Sequence, residues 1–196
     1  MFSTGWDYTY QNIVYKNNGG ISGDKIVDNY FRHSLNHTVI CSSTAVIQKR
    51  ILIQAGGFPD GMISGEDLYT WAKIASICKF AYTDKALAHY DIDSGDTFKR
   101  KRRIDNSIYR YSDLIDNTDP YKYEYLAMLA YRKAITYLIN GNLNDALNQI
   151  ELFKGNKLSE RMNRKFSTYK IFPPFMLRCY FNIGIYIKKI YRRCLR

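Results

Sequence analysis

Two adjacent acids, Glu66 and Asp67, follow a glycine and open a stretch with helical apolar spacing, Gly65-Glu66-Asp67-Leu68-Tyr69-Thr70-Trp71. A carboxylate in the first turn of a helix meets free backbone N–H groups and the positive end of the helix dipole, which favour it as an anion able to accept a proton. The chemistry open to Asp67 is therefore that of a general base. The same acidic pair is also a favourable helix start with no further role. Trp71 falls four residues after Asp67 and on the same side of the helix, where it either packs in a core or sets an aromatic face beside the carboxylate. His33, His37 and His89 are scattered without metal-ligand spacing. Cys41, Cys78, Cys179 and Cys194 show neither ligand spacing nor the dense pairing of a small secreted scaffold, which favours a reducing, cytoplasmic setting. Asp91-Ile92-Asp93 is a short acidic string that follows the Glu-Asp helix and is not assigned to metal.

The elements that must position these residues read as mixed α/β over residues 1–97. Trp6 to Tyr15 is expected as a strand stopping at Lys16-Asn17-Asn18-Gly19-Gly20, followed by a short helix at about 24–35. Thr38 to Ile47 reads as an extended stretch and Lys49 to Ala55 as a short helix that Gly56-Gly57 closes. The clearest helix is Glu66 to Cys78, with Leu68, Trp71, Ala72, Ala75 and Cys78 as its inward stripe. Phe80 to Tyr82 and Ala86 to Tyr90 read as two short strands. From Phe98 the pattern turns helical: a basic run, Lys99 to Arg103, precedes expected helices at Ile104–Ile115, Tyr121–Ile139 and Leu143–Phe153. Asn140-Gly141-Asn142 should fold the last two into a hairpin packed through Ala134, Tyr137, Leu143, Ala146 and Ile150. One such pair without a repeat period is a supporting hairpin, not a solenoid.

Three pieces in order, Cys41-Ser42-Ser43-Thr44-Ala45-Val46, Ala55-Gly56-Gly57-Phe58 and Gly65-Glu66-Asp67-Leu68-Tyr69-Thr70-Trp71, resemble the second half of family 2 glycosyltransferases. The match is to the acceptor-side strand, the Gly-Gly-Phe that ends a short helix, and the Glu-Asp helix with its tryptophan. The resemblance implies the C-terminal part of a GT-A (nucleotide-diphospho-sugar transferase) fold followed by an all-helical tail. It implies inverting transfer of a sugar from a nucleotide-sugar donor to a polysaccharide or lipid-linked acceptor, with Asp67 as the base. Glu66, Trp71 and Ser43, with its neighbour Ser42, would border the substrate, and Gly65 would leave room for a sugar against the backbone. The donor-binding half, with its metal-binding Asp-x-Asp and a divalent Mg or Mn ion, has no counterpart here. About 100 residues, or roughly three βαβ units, are expected upstream or on another chain, so this chain alone is expected to be inactive.

Composition frames the alternatives. The chain has 196 residues, 46% of them apolar, enough for a real core. Met1 is followed by no basic and apolar leader pattern, so a cleaved signal peptide is not expected. Net charge is +11, yet residues 1–156 hold 18 Lys/Arg against 17 Asp/Glu, while residues 157–196 hold 11 against 1. The excess sits in a tail suited to an anionic surface. Phe175 to Ile187, 13 residues, makes about 20 Å of helix, short of the roughly 30 Å hydrocarbon core. Residues 173–196 instead read as an interfacial helix at the inner membrane face, or as a helix packed back with solvated cations. Two rival functions are a nucleic-acid binder, suggested by Lys99 to Arg103 and 18 tyrosines, and a helical adaptor built on the hairpin. No nucleic-acid-binding signature supports the first.

Overall fold

Threonine and aromatic residues at the start of the chain favour extended backbone. Phe2–Tyr10 form strand β1, and Ile13–Asn17 turn back as β2 beside it. The register sets Tyr8 opposite Tyr15, and their rings stack with centroids 5.1 Å apart. The single strand expected from Trp6 to Tyr15 is thus a hairpin, because both halves carry strand-forming residues that pair with each other. A computed structural model describes residues 1–10, 13–91, 109–116, 118–153 and 157–181.

Lys25–Val27 form a three-residue strand, β3, and Phe80–Asp91 form the long strand β4. The sheet runs β2-β1-β4-β3, with β1 and β4 parallel and the two outer pairs antiparallel. The two short strands expected between Phe80 and Tyr90 are one strand with an irregularity. At that point the β1–β4 register shifts on either side of Gly5, and a Cβ on Gly5 would lie 2.8 Å from the Asp84 carbonyl oxygen. Glycine is what lets the two backbones approach there.

The helix expected at about 24–35 is only Tyr30–Ser34 (α1), because Lys25–Val27 pair with β4 and Asn29 caps α1 by accepting the Arg32 N–H at 2.9 Å. Residues 38–41 lack regular structure and Ser42–Thr44 make one 3-10 turn; of the expected extended stretch, Val46 bridges to Phe2. Lys49–Gln54 (α2) ends as expected at the glycine pair. Gly57 N–H reaches the Leu52 carbonyl and Gly56 N–H the Ile53 carbonyl, with both glycines left-handed, the Schellman arrangement.

Glu66–Ile77 (α3) also matches its expected span, but its inward side is Tyr69, Thr70, Trp71, Ala72 and Ile74. Leu68, Ala75 and Cys78 are only half-buried, so the stripe is rotated from the expected one. An aromatic cluster holds this part together. Tyr30 meets Phe31, Phe80 and Tyr125 edge to face, with centroids 5.4, 6.0 and 5.7 Å away.

The chain divides into two compact units, Met1–Leu126 and Ala127–Arg196. The dividing point falls inside Pro120–Ile139 (α4), a helix whose first turn is capped by the Asp119 carboxylate, which accepts the Tyr121 N–H at 2.8 Å. In the second unit Gly141, left-handed at φ +84°, turns the chain into Leu143–Ile150 (α5), which Asn142 caps. Ala134, Tyr137, Ala146 and Ile150 are buried as expected of the hairpin, whereas Leu143 points to solvent. Lys157–Tyr169 (α6) is a further helix, and residues 174–181 are helical again. The helix expected over 104–115 lies outside the described residues up to 108; beyond that, Tyr111–Leu114 form a single 3-10 turn. The basic run Lys99 to Arg103 and most of the expected helix beyond Pro173 also lie outside the described residues.

Candidate functional site

Asp67 occupies the second position of α3, half-buried, one residue after Glu66. The helix start carries no side-chain cap; the turn is made by Gly65, whose φ of +83° an L side chain rarely adopts. The Gly65 carbonyl oxygen accepts twice, from the Tyr69 N–H at 2.9 Å and from the Tyr111 hydroxyl at 3.3 Å. Where a Cβ on residue 65 would stand, the Tyr111 oxygen is 2.4 Å away. The space above Gly65, expected to admit a sugar, is therefore filled by Tyr111. Glycine serves the turn and the phenol that braces it.

The Asp67 carboxylate is held at both oxygens. Its Oδ1 accepts the Leu68 N–H at 2.7 Å and its Oδ2 accepts the Ser42 hydroxyl at 3.0 Å. Ser42 sits on the 3-10 turn whose Thr44 hydroxyl bonds to Ser3 of β1 at 2.8 Å, so the turn that aims Ser42 is tied to the sheet. Ser43, the neighbour expected to line the substrate, is exposed in the same turn, and the bond to the carboxylate comes from Ser42. Glu66 is half-buried, and its carbonyl accepts the Thr70 hydroxyl at 2.8 Å. One step along a helix turns a side chain by 100°, so Glu66 and Asp67 face different directions.

Trp71 is 3% exposed, so its ring faces are covered by the protein and the sugar-stacking face considered for it is closed. The aromatic surface on this side of α3 is Phe58, 51% exposed, packed edge to face on Trp71 with centroids 5.8 Å apart. Sequence reasoning quoted Phe58 only as part of a pattern; its place directly after the Gly56-Gly57 helix stop was the signal that it would be presented outward. Trp71 Nε1 is buried without a hydrogen-bond partner.

Phenols surround the helix start. Burial pushes the Tyr30 hydroxyl up to about 12, its bond to Tyr125 opposing and the Asp67 charge adding to the shift. Tyr69 is likewise pushed up to about 12, first by burial and then by the charge of Asp113, and its ring packs against Tyr109 and Tyr111. These hydroxyls stay protonated through the neutral range. The histidines stand apart from one another: His33 pairs with Asp28 at 3.2 Å and His89 bonds to Thr9 at 2.9 Å. Among the described residues no group of three His, Cys, Asp or Glu side chains could hold a metal ion; Ile92 and Asp93 of the Asp91-Ile92-Asp93 string lie outside them.

No family model, no curated protein and no solved structure matches this chain.

Proposed function

We propose that Met1–Leu126 forms the acceptor side of an inverting glycosyltransferase of the family 2 type, with Asp67 as the catalytic base. The observation that carries this reading is the Asp67 carboxylate: half-buried in the first turn of α3, fixed by Ser42 at one oxygen and by the Leu68 N–H at the other. A carboxylate so oriented suits proton abstraction, since its remaining lone pairs have a defined direction before substrate arrives. In the proposed step an acceptor hydroxyl loses its proton to Asp67 while its oxygen attacks the anomeric carbon of the donor. The bond from that carbon to the nucleoside diphosphate breaks, the diphosphate leaves with the electron pair, and the configuration inverts. Phe58 is the aromatic face an acceptor sugar would stack on, in place of Trp71. Donor binding, with its divalent Mg or Mn ion, is assigned to a segment other than the residues described here. Polysaccharide or glycolipid acceptors are the class this reading implies.

The test uses a fusion that supplies a matching donor-binding segment upstream. Asp67→Asn keeps the size and the Ser42 contact but cannot take the proton, so turnover should fall by roughly 10²–10⁴ with donor affinity nearly unchanged. Glu66→Gln should cost far less. A silent Asp67→Asn beside a crippled Glu66→Gln would move the base to Glu66, and two silent, folded variants would remove the transferase reading.

A further inference from the structure

The end of the described chain is built inside out. In the 174–181 helix Leu177 is 3% exposed, and the Arg178 guanidinium donates from Nε to the Ile139 carbonyl oxygen at 2.8 Å. Those two contacts fix how the helix is rotated. At 100° per residue, Phe175, Met176, Cys179 and Tyr180 then share the opposite, outward arc. All are apolar or aromatic where a solvated helix would carry charge. Phe175 is 65% exposed and Tyr180 58%, and just before the helix Ile171 is 76% exposed, with Phe172 beside it also open. Single exposed apolar residues need no explanation, but a run of this kind on one short segment does.

Charge identifies what covers it. After Glu160 the sequence contains no acid at all, and Lys165, Lys170 and Arg178 stand exposed around the apolar segment. Lys188, Lys189, Arg192, Arg193 and Arg196 follow in the sequence. An apolar ridge whose own segment carries cations and no acid fits an interface that is greasy in the middle and anionic at the surface, which describes a lipid headgroup layer. Aliphatic Ile171 and Met176 offer a nucleic acid no stacking surface and no charge. No helix among the described residues is long and apolar enough to cross a membrane.

We propose that Ile171, Phe172, Phe175, Met176 and Tyr180 form a wedge that inserts into the surface of anionic membranes, held there by the surrounding lysines and arginines. The packing of Leu177 and Arg178 against the protein and the membrane contact are two faces of one helix. This attachment does not rest on the transferase reading, and its test needs no activity.

The measurement uses the full chain and vesicles of mixed phosphatidylglycerol and phosphatidylcholine. Both native tryptophans, Trp6 and Trp71, are buried, so Phe175→Trp supplies an outward reporter. Its emission should shift to the blue on adding vesicles and be quenched by brominated acyl chains. Co-sedimentation should weaken several-fold in high salt and on pure phosphatidylcholine. The paired change Phe172→Ser with Phe175→Ser, at exposed positions and checked by circular dichroism, should weaken it by about tenfold or more. Unchanged Phe175→Trp emission, or equal sedimentation of the paired variant, overturns the wedge. So does vesicle-independent dimerisation, or binding to single-stranded DNA in place of vesicles, if the paired variant abolishes it, since a second copy or a nucleic acid would then own the surface.

Discussion

The two units of this chain differ in charge and in what their surfaces present. Met1–Leu126 holds 15 Lys/Arg against 15 Asp/Glu, whereas Ala127–Arg196 holds 14 against 3 and so carries the whole net charge. Around the candidate site of the first unit, above its aromatic core, the contacts that set direction are polar: a serine and a backbone N–H on the Asp67 carboxylate, a phenol on the Gly65 carbonyl, hydroxyl on hydroxyl between Ser3 and Thr44. In the second the core mixes small residues such as Ala130, Ala134 and Ala146 with buried Leu129, Phe153 and Phe166, and it is only at 171–180 that apolar and aromatic side chains gather outward. A site that must aim one carboxylate needs fixed angles, and hydrogen bonds supply them. A surface that must adhere needs area and sign of charge, which tolerate looser geometry.

The largest effect expected from breaking this contrast is at Gly65. Gly65→Ala meets a left-handed backbone, costing about 1–2 kcal/mol, and the Tyr111 oxygen 2.4 Å from the new Cβ, costing about 1–2 more. Destabilisation of about 2–4 kcal/mol is expected, read by urea denaturation. Both tryptophans lie in the first unit, so tryptophan fluorescence, excited beyond the tyrosine band, follows it alone while far-ultraviolet dichroism follows helices of both. The fluorescence midpoint should drop further than the dichroism midpoint. Coincident drops of equal size would mean that the units unfold as one and that the contrast has no energetic meaning.

What the sequence disclosed follows the same division. The α3 span, the α2 stop and the helix pair were legible because each rests on a local rule: an acidic first turn, a glycine pair, an Asn-Gly-Asn break. The sheet was less so. Lys25–Val27 is too short to show alternation and is a strand only because β4 lies beside it. The split of β1 from β2 shows in the pairing of Tyr8 with Tyr15, whereas in the sequence strand-forming residues on both sides make the two read as one run. In the candidate site, the place of Asp67 in the first turn of a helix was legible, but the Ser42 hydroxyl that bonds its carboxylate depends on a 3-10 turn that no spacing rule announces. Tyr111 was out of reach because 46 residues separate it from Gly65. α6 could have been found: Leu158, Met162, Phe166 and Tyr169 recur at helical spacing beneath the basic residues.

Raised pH should sharpen the contrast next. Tyr30, Tyr69 and Tyr82 in the first unit are each pushed up to about 12 chiefly by burial; in the second unit burial pushes Tyr131 up to about 12 and raises Tyr169 as well. A phenol is neutral when protonated, and an unfolded chain releases that proton near pH 10. Below about pH 10 both states hold their protons and nothing is lost. Between about pH 10 and pH 12 the unfolded state ionises first, so stability falls as pH rises. Urea midpoints by tryptophan fluorescence should therefore decline more steeply over this window than midpoints by dichroism. A steeper loss in the dichroism would place the buried phenols' influence in the helical unit instead.

The smallest expected effect tests why Gly65 is needed. Tyr111→Phe removes one hydroxyl donating to the Gly65 carbonyl at 3.3 Å, a long bond whose loss should cost about 1 kcal/mol or less. Its value lies in combination. With the oxygen gone, the nearest atom to a Cβ on residue 65 is the ring Cζ at 3.7 Å, an ordinary contact. In that background Gly65→Ala faces only the left-handed backbone, so its cost should drop from about 2–4 to about 1–2 kcal/mol. The double variant should accordingly be more stable than the sum of the single losses predicts. Strict additivity in denaturant unfolding would show that the clash is relieved by movement of Tyr111 and that the phenol does not fix the start of α3. Coupling of the expected sign would leave Tyr111 as the brace that sets the direction of Asp67, from a position 44 residues away in sequence.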